Sequence, residues 1–102
     1  MFSHYLVHLL NAKFSGYHFS VKEGRKYDRI ICATAGREQF GEGRIYLFVD
    51  KISGDVIKPG GWKTPQRNSS GELAIRGNVN TVEKMESLVA AADPYGTFLY
   101  YR

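Results

Sequence analysis

At 102 residues, 43% hydrophobic and 24% charged, the chain has the size and mixture of one globular domain, which excludes a disordered polypeptide and leaves no internal boundary. Fourteen lysines and arginines against ten aspartates and glutamates give a net charge of +4, a balance that favours anionic partners. The single cysteine excludes an intrachain disulfide and any metal pair with a second cysteine. No apolar run approaches the ~18 residues that a membrane span needs. Residues 1–10 lack the basic start and small-residue cleavage site of a signal peptide. The expected location is therefore the cytoplasm, with no membrane partner.

In chain order, Phe2, Tyr5, Leu6, Leu9 and Leu10 fall on one face of a helix with Ser3 as its cap, although Tyr5-Leu6-Val7 leaves a strand open. After Gly16, Tyr17, Phe19 and Val21 alternate with His18, Ser20 and Lys22, which predicts a strand. Glu23-Gly24-Arg25 reads as a turn. Residues 27–34 read as a second, more buried strand that carries Cys32 as an inert apolar thiol. The polar stretch 35–43, with three glycines, reads as an exposed loop.

Residues 44–50 set Ile45, Leu47 and Val49 on one side and Tyr46 and Phe48 on the other, so both faces are apolar and this is the candidate central strand. Ser53-Gly54 turns the chain into Val56-Ile57-Lys58, and Pro59, with no N–H for a ladder, ends that strand. Residues 60–71 carry the strongest loop signature: Gly60-Gly61, Pro65 and Asn68-Ser69-Ser70-Gly71. Asn80 then reads as a helix N-cap with Glu83 completing a capping box, and Val82, Met85, Val89 and Ala92 as the buried stripe. Asp93-Pro94 stops that helix, and residues 97–101 read as a last, aromatic strand. The predicted fold is α+β: a mostly antiparallel sheet of four or five strands with the 80–92 helix packed on it, and an N-terminal helix or edge strand. The aromatic excess, with Tyr95, Phe98, Tyr100 and Tyr101 near the end, is more than a small interior needs and points to a homodimer.

Few residues are arranged for chemistry. His4 and His8 have the helical spacing of two metal ligands, yet no cysteine or carboxylate adjoins them, so they read as surface histidines and no metal is expected. Gly41-Glu42-Gly43 precedes a strand and Gly60-Gly61 precedes Pro65, whereas a phosphate-binding glycine loop opens a helix. Asp50 and Asp55 flank one tight turn, where aspartate is ordinary turn chemistry. No nucleophile, base and orienting acid stand together, so neither an enzyme nor a cofactor is expected.

The basic residues are more informative. Lys58, Trp62, Lys63 and Arg67 occur with no acid between Val56 and Gly71, and Arg76 follows. Cations engage phosphate and a flat indole stacks on a nucleobase, so the set suits nucleic acid or a nucleotide. The alternative is that Trp62 folds back to anchor its loop in the core. Arg25, Lys26 and Arg29 form a second basic group, tempered by Glu23 and Asp28.

The stretch from Phe48-Val49-Asp50 through Gly54-Asp55-Val56 and Lys58-Pro59 to Trp62-Lys63-Thr64-Pro65 resembles a pattern in small bacteriophage proteins. Gly24-Arg25-Lys26-Tyr27-Asp28-Arg29-Ile30 resembles their entry strand, and Arg76-Gly77-Asn78-Val79 and Gly96-Thr97-Phe98-Leu99-Tyr100 fit downstream. The resemblance covers about residues 20–102, leaving 1–19 as an extension, and residues 68–73 look inserted. It implies a phage origin, a bacterial host cytoplasm and an accessory role, and it names no catalytic residue. The expectation is a non-enzymatic binding protein for an anionic ligand, nucleic acid or nucleotide, contacted by Lys58, Trp62, Lys63, Arg67 and Arg76. The competing expectation is a protein-binding inhibitor of host defence or transcription, and an enzyme comes third.

Overall fold

The structure, a computed structural model, describes residues 2–34, 43–60, 65–67, 69–93, 96 and 99. Its elements are α1 (Phe2–Lys13), β1 (Tyr17–Glu23), β2 (Tyr27–Thr34), β3 (Gly43–Asp50), β4 (Asp55–Ile57), β5 (Ile75–Asn78) and α2 (Val82–Ala91). The strands form one antiparallel sheet in the order β1-β2-β3-β4-β5. Each strand therefore pairs with its neighbours in sequence, β3 is central, and β1 and β5 are the edges. Leu6 and Leu10 of α1 and Met85 and Val89 of α2 share one core with Phe19, Ile30, Cys32, Leu47, Val49 and Val56, so both helices lie on the same face of the sheet. The fold is α+β, as the periodicities predict.

The N-terminal segment resolves as a helix whose cap is not the expected one, and whose expected face meets the core except at Tyr5. Ser3 lies inside the first turn, buried, where its Oγ donates to Asp28 Oδ2 at 2.8 Å. Ser3, Leu6 and Leu10 make the buried line, Phe2, Val7 and Leu9 flank it, and Tyr5 points outward. A carboxylate on β2 thus draws a serine inward and rotates the helix away from Tyr5. Asn11 completes the docking: its amide donates to Phe19 O (2.9 Å) and accepts from Phe19 N–H (2.7 Å), standing in for a strand along the outer edge of β1.

Two register shifts control what faces the helices. Ile30 pairs with Leu47 but Ile31 with Ile45, which leaves Tyr46 as an extra residue. Strict alternation puts Tyr46 with Phe48; the bulge instead turns it to the helix side beside Leu47 and Val49. There its ring meets Phe19 edge-on (5.0 Å, 74°) and its hydroxyl donates to Asp93 O at 2.5 Å. Phe48 pairs with Ile57 on the opposite face, also buried, with the Tyr27 ring edge-on to it at 6.2 Å. The second shift, between Val56 and Ile57, leaves Arg76 as the extra residue of β5.

β5 is the strand that composition hides. Four residues that include Gly77 and Asn78 have little β propensity, and pairing with β4 holds them extended. The turn before its partner β4 needs Gly54, which has φ +77° and would bring a Cβ within 2.9 Å of the Asn80 backbone nitrogen. β4 covers 55–57 and not 56–58, with Lys58 just past its end. Most of the expected 97–101 strand lies outside the described residues. Leu99 is buried, and its N–H bonds Gly96 O (3.1 Å) in a turn instead of a ladder.

α2 is capped by Thr81, not Asn80. The Thr81 Oγ1 accepts from Lys84 N–H (3.2 Å), while Asn80 N–H is taken by Asn78 Oδ1 (2.8 Å), which holds Asn80 in the preceding turn. With the cap one residue later, Glu83 no longer has the position a capping box requires. Thr81→Ala should cost about 1 kcal/mol in urea melts, and Asn80→Ala measurably less. Met85 and Val89 are buried as expected, whereas Val82 is 49% exposed. At the other end Lys13 Nζ donates to Val89 O (2.6 Å), Ala90 O (3.1 Å) and Ala92 O (3.2 Å), placing a cation on the carbonyls that end the helix.

Candidate functional site

The basic loop rises from a tightly tied base. Lys58 N–H donates to Ala74 O (3.0 Å), Ala74 N–H to Gln66 O (2.9 Å) and Gln66 N–H to Lys58 O (2.8 Å), a closed ring of backbone bonds. Pro59 bridges Pro65, and Arg67 bridges Leu73, on either side of that ring. Gly60 is required there, because a Cβ would sit 2.9 Å from Gln66 Cα. The chain leaves and re-enters through one narrow stem, which brings Lys58 and Arg67 to the same place. Arg67 is exposed and one terminal nitrogen donates to Gly71 O (2.8 Å), so its guanidinium is held at the surface. Lys58 is half-buried. Trp62 and Lys63 lie outside the described residues.

Arg76 belongs to a different feature. The bulge turns it toward α2, where its Nε donates to Leu99 O at 2.6 Å. It lines an open groove of about 590 Å³ between β5 and α2, with Gly77 and Leu88 in its floor and Asn78, Glu83, Lys84 and Ser87 around it. Sequence reasoning missed this groove because no strand was expected at 75–78. The available signal was Gly77, whose missing side chain lets Leu88 approach to within 3.3 Å of where a Cβ would stand.

The two acids that temper the second basic group, Glu23 and Asp28, are paired from outside it, by Lys51 and His4. Lys51 Nζ lies 2.9 Å from the buried Asp28 Oδ1 and 3.3 Å from Glu23 Oε1, and His4 Nε2 lies 3.5 Å from Glu23 Oε2. The Asp28 carboxylate, with Glu23 behind it, holds the Lys51 ammonium above the usual lysine value. A raised lysine adds stability that is complete below the unfolded value of about 10.4 and fades as pH rises through the folded one. As pH rises above the unfolded value of about 10.4, the wild type should therefore lose more stability than Lys51→Met, measured by urea melts at each pH. Equal slopes would mean that the pair contributes nothing.

Other candidates resolve into structural roles. Asp50 Oδ1 accepts from Ser53 N–H (3.0 Å) and Ile52 N–H (2.8 Å), and these bonds, Ser53 first, hold its carboxyl below the usual range. Asp55 Oδ1 accepts from Asn78 Nδ2 (2.9 Å), so both aspartates serve the turn. Cys32 is buried opposite Arg44, and burial raises its thiol pKa despite that neighbouring cation. Burial, then the Asp93 carboxylate, likewise push the Tyr46 phenol well above its ordinary value. No group of three or more metal-ligating side chains occurs among the described residues. No helix of the described residues is long and apolar enough to cross a membrane.

No curated protein and no solved structure matches the chain. Residues 3–101 do match a family of unknown function, DUF7717, and the matched stretch takes in α1 as well as the sheet and α2. The chain belongs to that family.

Proposed function

We propose that the protein is a non-enzymatic binder of an anionic ligand, nucleic acid or a nucleotide, and that the loop of residues 58–67 makes the contact. The observation that carries this reading is the tied stem. Three backbone bonds and Gly60 fix the base of a loop whose sequence holds three cations and the one tryptophan, without an acid. A fixed base means that ordering the loop on a ligand costs less conformational entropy than ordering a free one. Arg67, pinned to Gly71 O, offers phosphate an already positioned guanidinium, with Lys58 across the stem and Lys63 and Trp62 between them in sequence. In the setting that the phage resemblance implies, this would be an accessory role in the bacterial host cytoplasm.

The test is fluorescence anisotropy of a labelled single-stranded oligonucleotide, with ATP as competitor, across a salt series. Binding should weaken steeply with salt, because phosphate contacts release counterions. Lys63→Ala with Arg67→Ala should weaken it further and leave Tm nearly unchanged, since exposed charges add little stability. Trp62→Ala should remove about 1–3 kcal/mol of binding if the indole stacks on a base. No binding, or binding indifferent to salt and to these substitutions, would end the proposal.

A further inference from the structure

The groove between β5 and α2 joins three features that the loop does not use. The first is an open sheet edge. On the far side of the sheet, Asn11 covers the outer edge of β1 through both polar groups of Phe19, but among the described residues no strand pairs with the outer edge of β5. Exposed edges recruit extended chains unless something covers them. The second is an apolar floor. Gly77 has no side chain, Leu88 and Ala91 line the helix wall, and the exposed Ile75 (45%) and Val82 (49%) stand at the first positions of β5 and α2.

The third feature is charge, and it has a direction. Gly77 faces Leu88, and the short connection 79–81 makes β5 and α2 run in opposite senses. Glu83 and Lys84 therefore flank the Asn78 end, and Arg76 stands at the other end near Ala91. Arg76 is oriented by the bond from its Nε to Leu99 O, and its terminal nitrogens have no partner among the described residues. The edge also runs out there: Ile75 N–H already bonds Leu73 O (3.0 Å), so main-chain pairing cannot continue past Arg76. A strand added antiparallel to β5 would thus enter beside Asn78 and bring its C-terminal end to the guanidinium.

We propose that this groove docks the C-terminal end of an extended polypeptide from another protein. The added strand would pair with the β5 edge, set alternate apolar side chains on Gly77, Leu88 and Ala91, and give its terminal carboxylate to Arg76. Strand addition supplies main-chain affinity without demanding a sequence, and the carboxylate contact adds selectivity for a chain end. The site is separate from the basic loop, so failure here leaves the loop reading standing, and the reverse also holds.

The probe is an N-terminally labelled heptapeptide of alternating threonine and valine that ends in valine with a free carboxylate, alongside the same peptide as its C-terminal amide. The free acid should bind saturably with a Kd below about 1 mM, and the amide about tenfold more weakly, the size of one charge-assisted hydrogen bond. Arg76→Gln should erase the difference between the two peptides and Arg76→Lys should keep part of it, with Tm recorded for each variant. Amide resonances of residues 75–78 and of the facing turns of α2 should shift on titration. Equal binding of acid and amide, no saturation by the free acid, or shifts confined to residues 58–74 would overturn the proposal. Sedimentation revealing a dimer whose β5 edges exclude the peptide would also overturn it, by making a second copy the occupant.

Discussion

Phe19→Ala should lower the folding free energy by about 3–5 kcal/mol, a large fraction of what a domain this size possesses. Phe19 is almost fully buried, the one residue of β1 that is. Its ring meets Tyr46 edge-on and lies 6.0 Å from Phe14, while its backbone pairs with Cys32 on one side and the Asn11 amide on the other. Truncation opens a cavity beneath α1 and removes the partner that the bulged Tyr46 was turned inward to meet. Guanidinium melts with an unchanged slope and a lower midpoint would be the signature. A loss below about 1 kcal/mol would show that α1 does not sit on this ring.

The second large effect is on α2. Met85→Ala should cost about 2–5 kcal/mol, whereas Val82→Ala, one turn earlier on the stripe that spacing suggests, should stay within about 0.5 kcal/mol. The contrast follows from Met85 being buried and Val82 being half in solvent. It separates a real docking face from an apparent one. Similar losses at both positions would mean that the first turn of the helix is packed as closely as the second.

Those cases mark what the sequence makes legible. Periodicity located β1, β2, β3 and both helices, and the two apolar faces of β3 identified the middle of the sheet. It failed wherever a single long-range contact overrode local pattern. Ser3 turns inward because Asp28, 25 residues away, supplies an acceptor. Tyr46 changes face because an extra residue enters the β2–β3 register, and periodicity carries no information about registers between strands. Asn80 loses the cap to Thr81 because Asn78 already holds its N–H. The candidate site divides in the same way. Lys58 and Arg67 are brought together by a stem that Pro59, Gly60 and Pro65 foreshadow. Arg76 departs to the α2 groove, which exists only because β4 holds an unpromising Arg-Gly-Asn run as a strand.

The lysine that closes α2 also bears on how the chain is made. Lys13 lies 76 to 79 positions before the carbonyls it satisfies, so the first helix cannot complete its contacts until the last has been synthesised. At about 5–20 residues per second that interval lasts about 4–15 s on a ribosome. Every strand, by contrast, pairs with the one just before it, so the sheet can grow in step with synthesis and offer α1 the β1–β2 hairpin early. During that interval the helix-facing side of β3 and β4 lacks its α2 cover, with Leu47, Val49 and Val56 among the residues left short of partners. Nascent chains stalled before position 82 should therefore be held by chaperones that grip apolar strands, and chains stalled after position 92, once extruded, should be released.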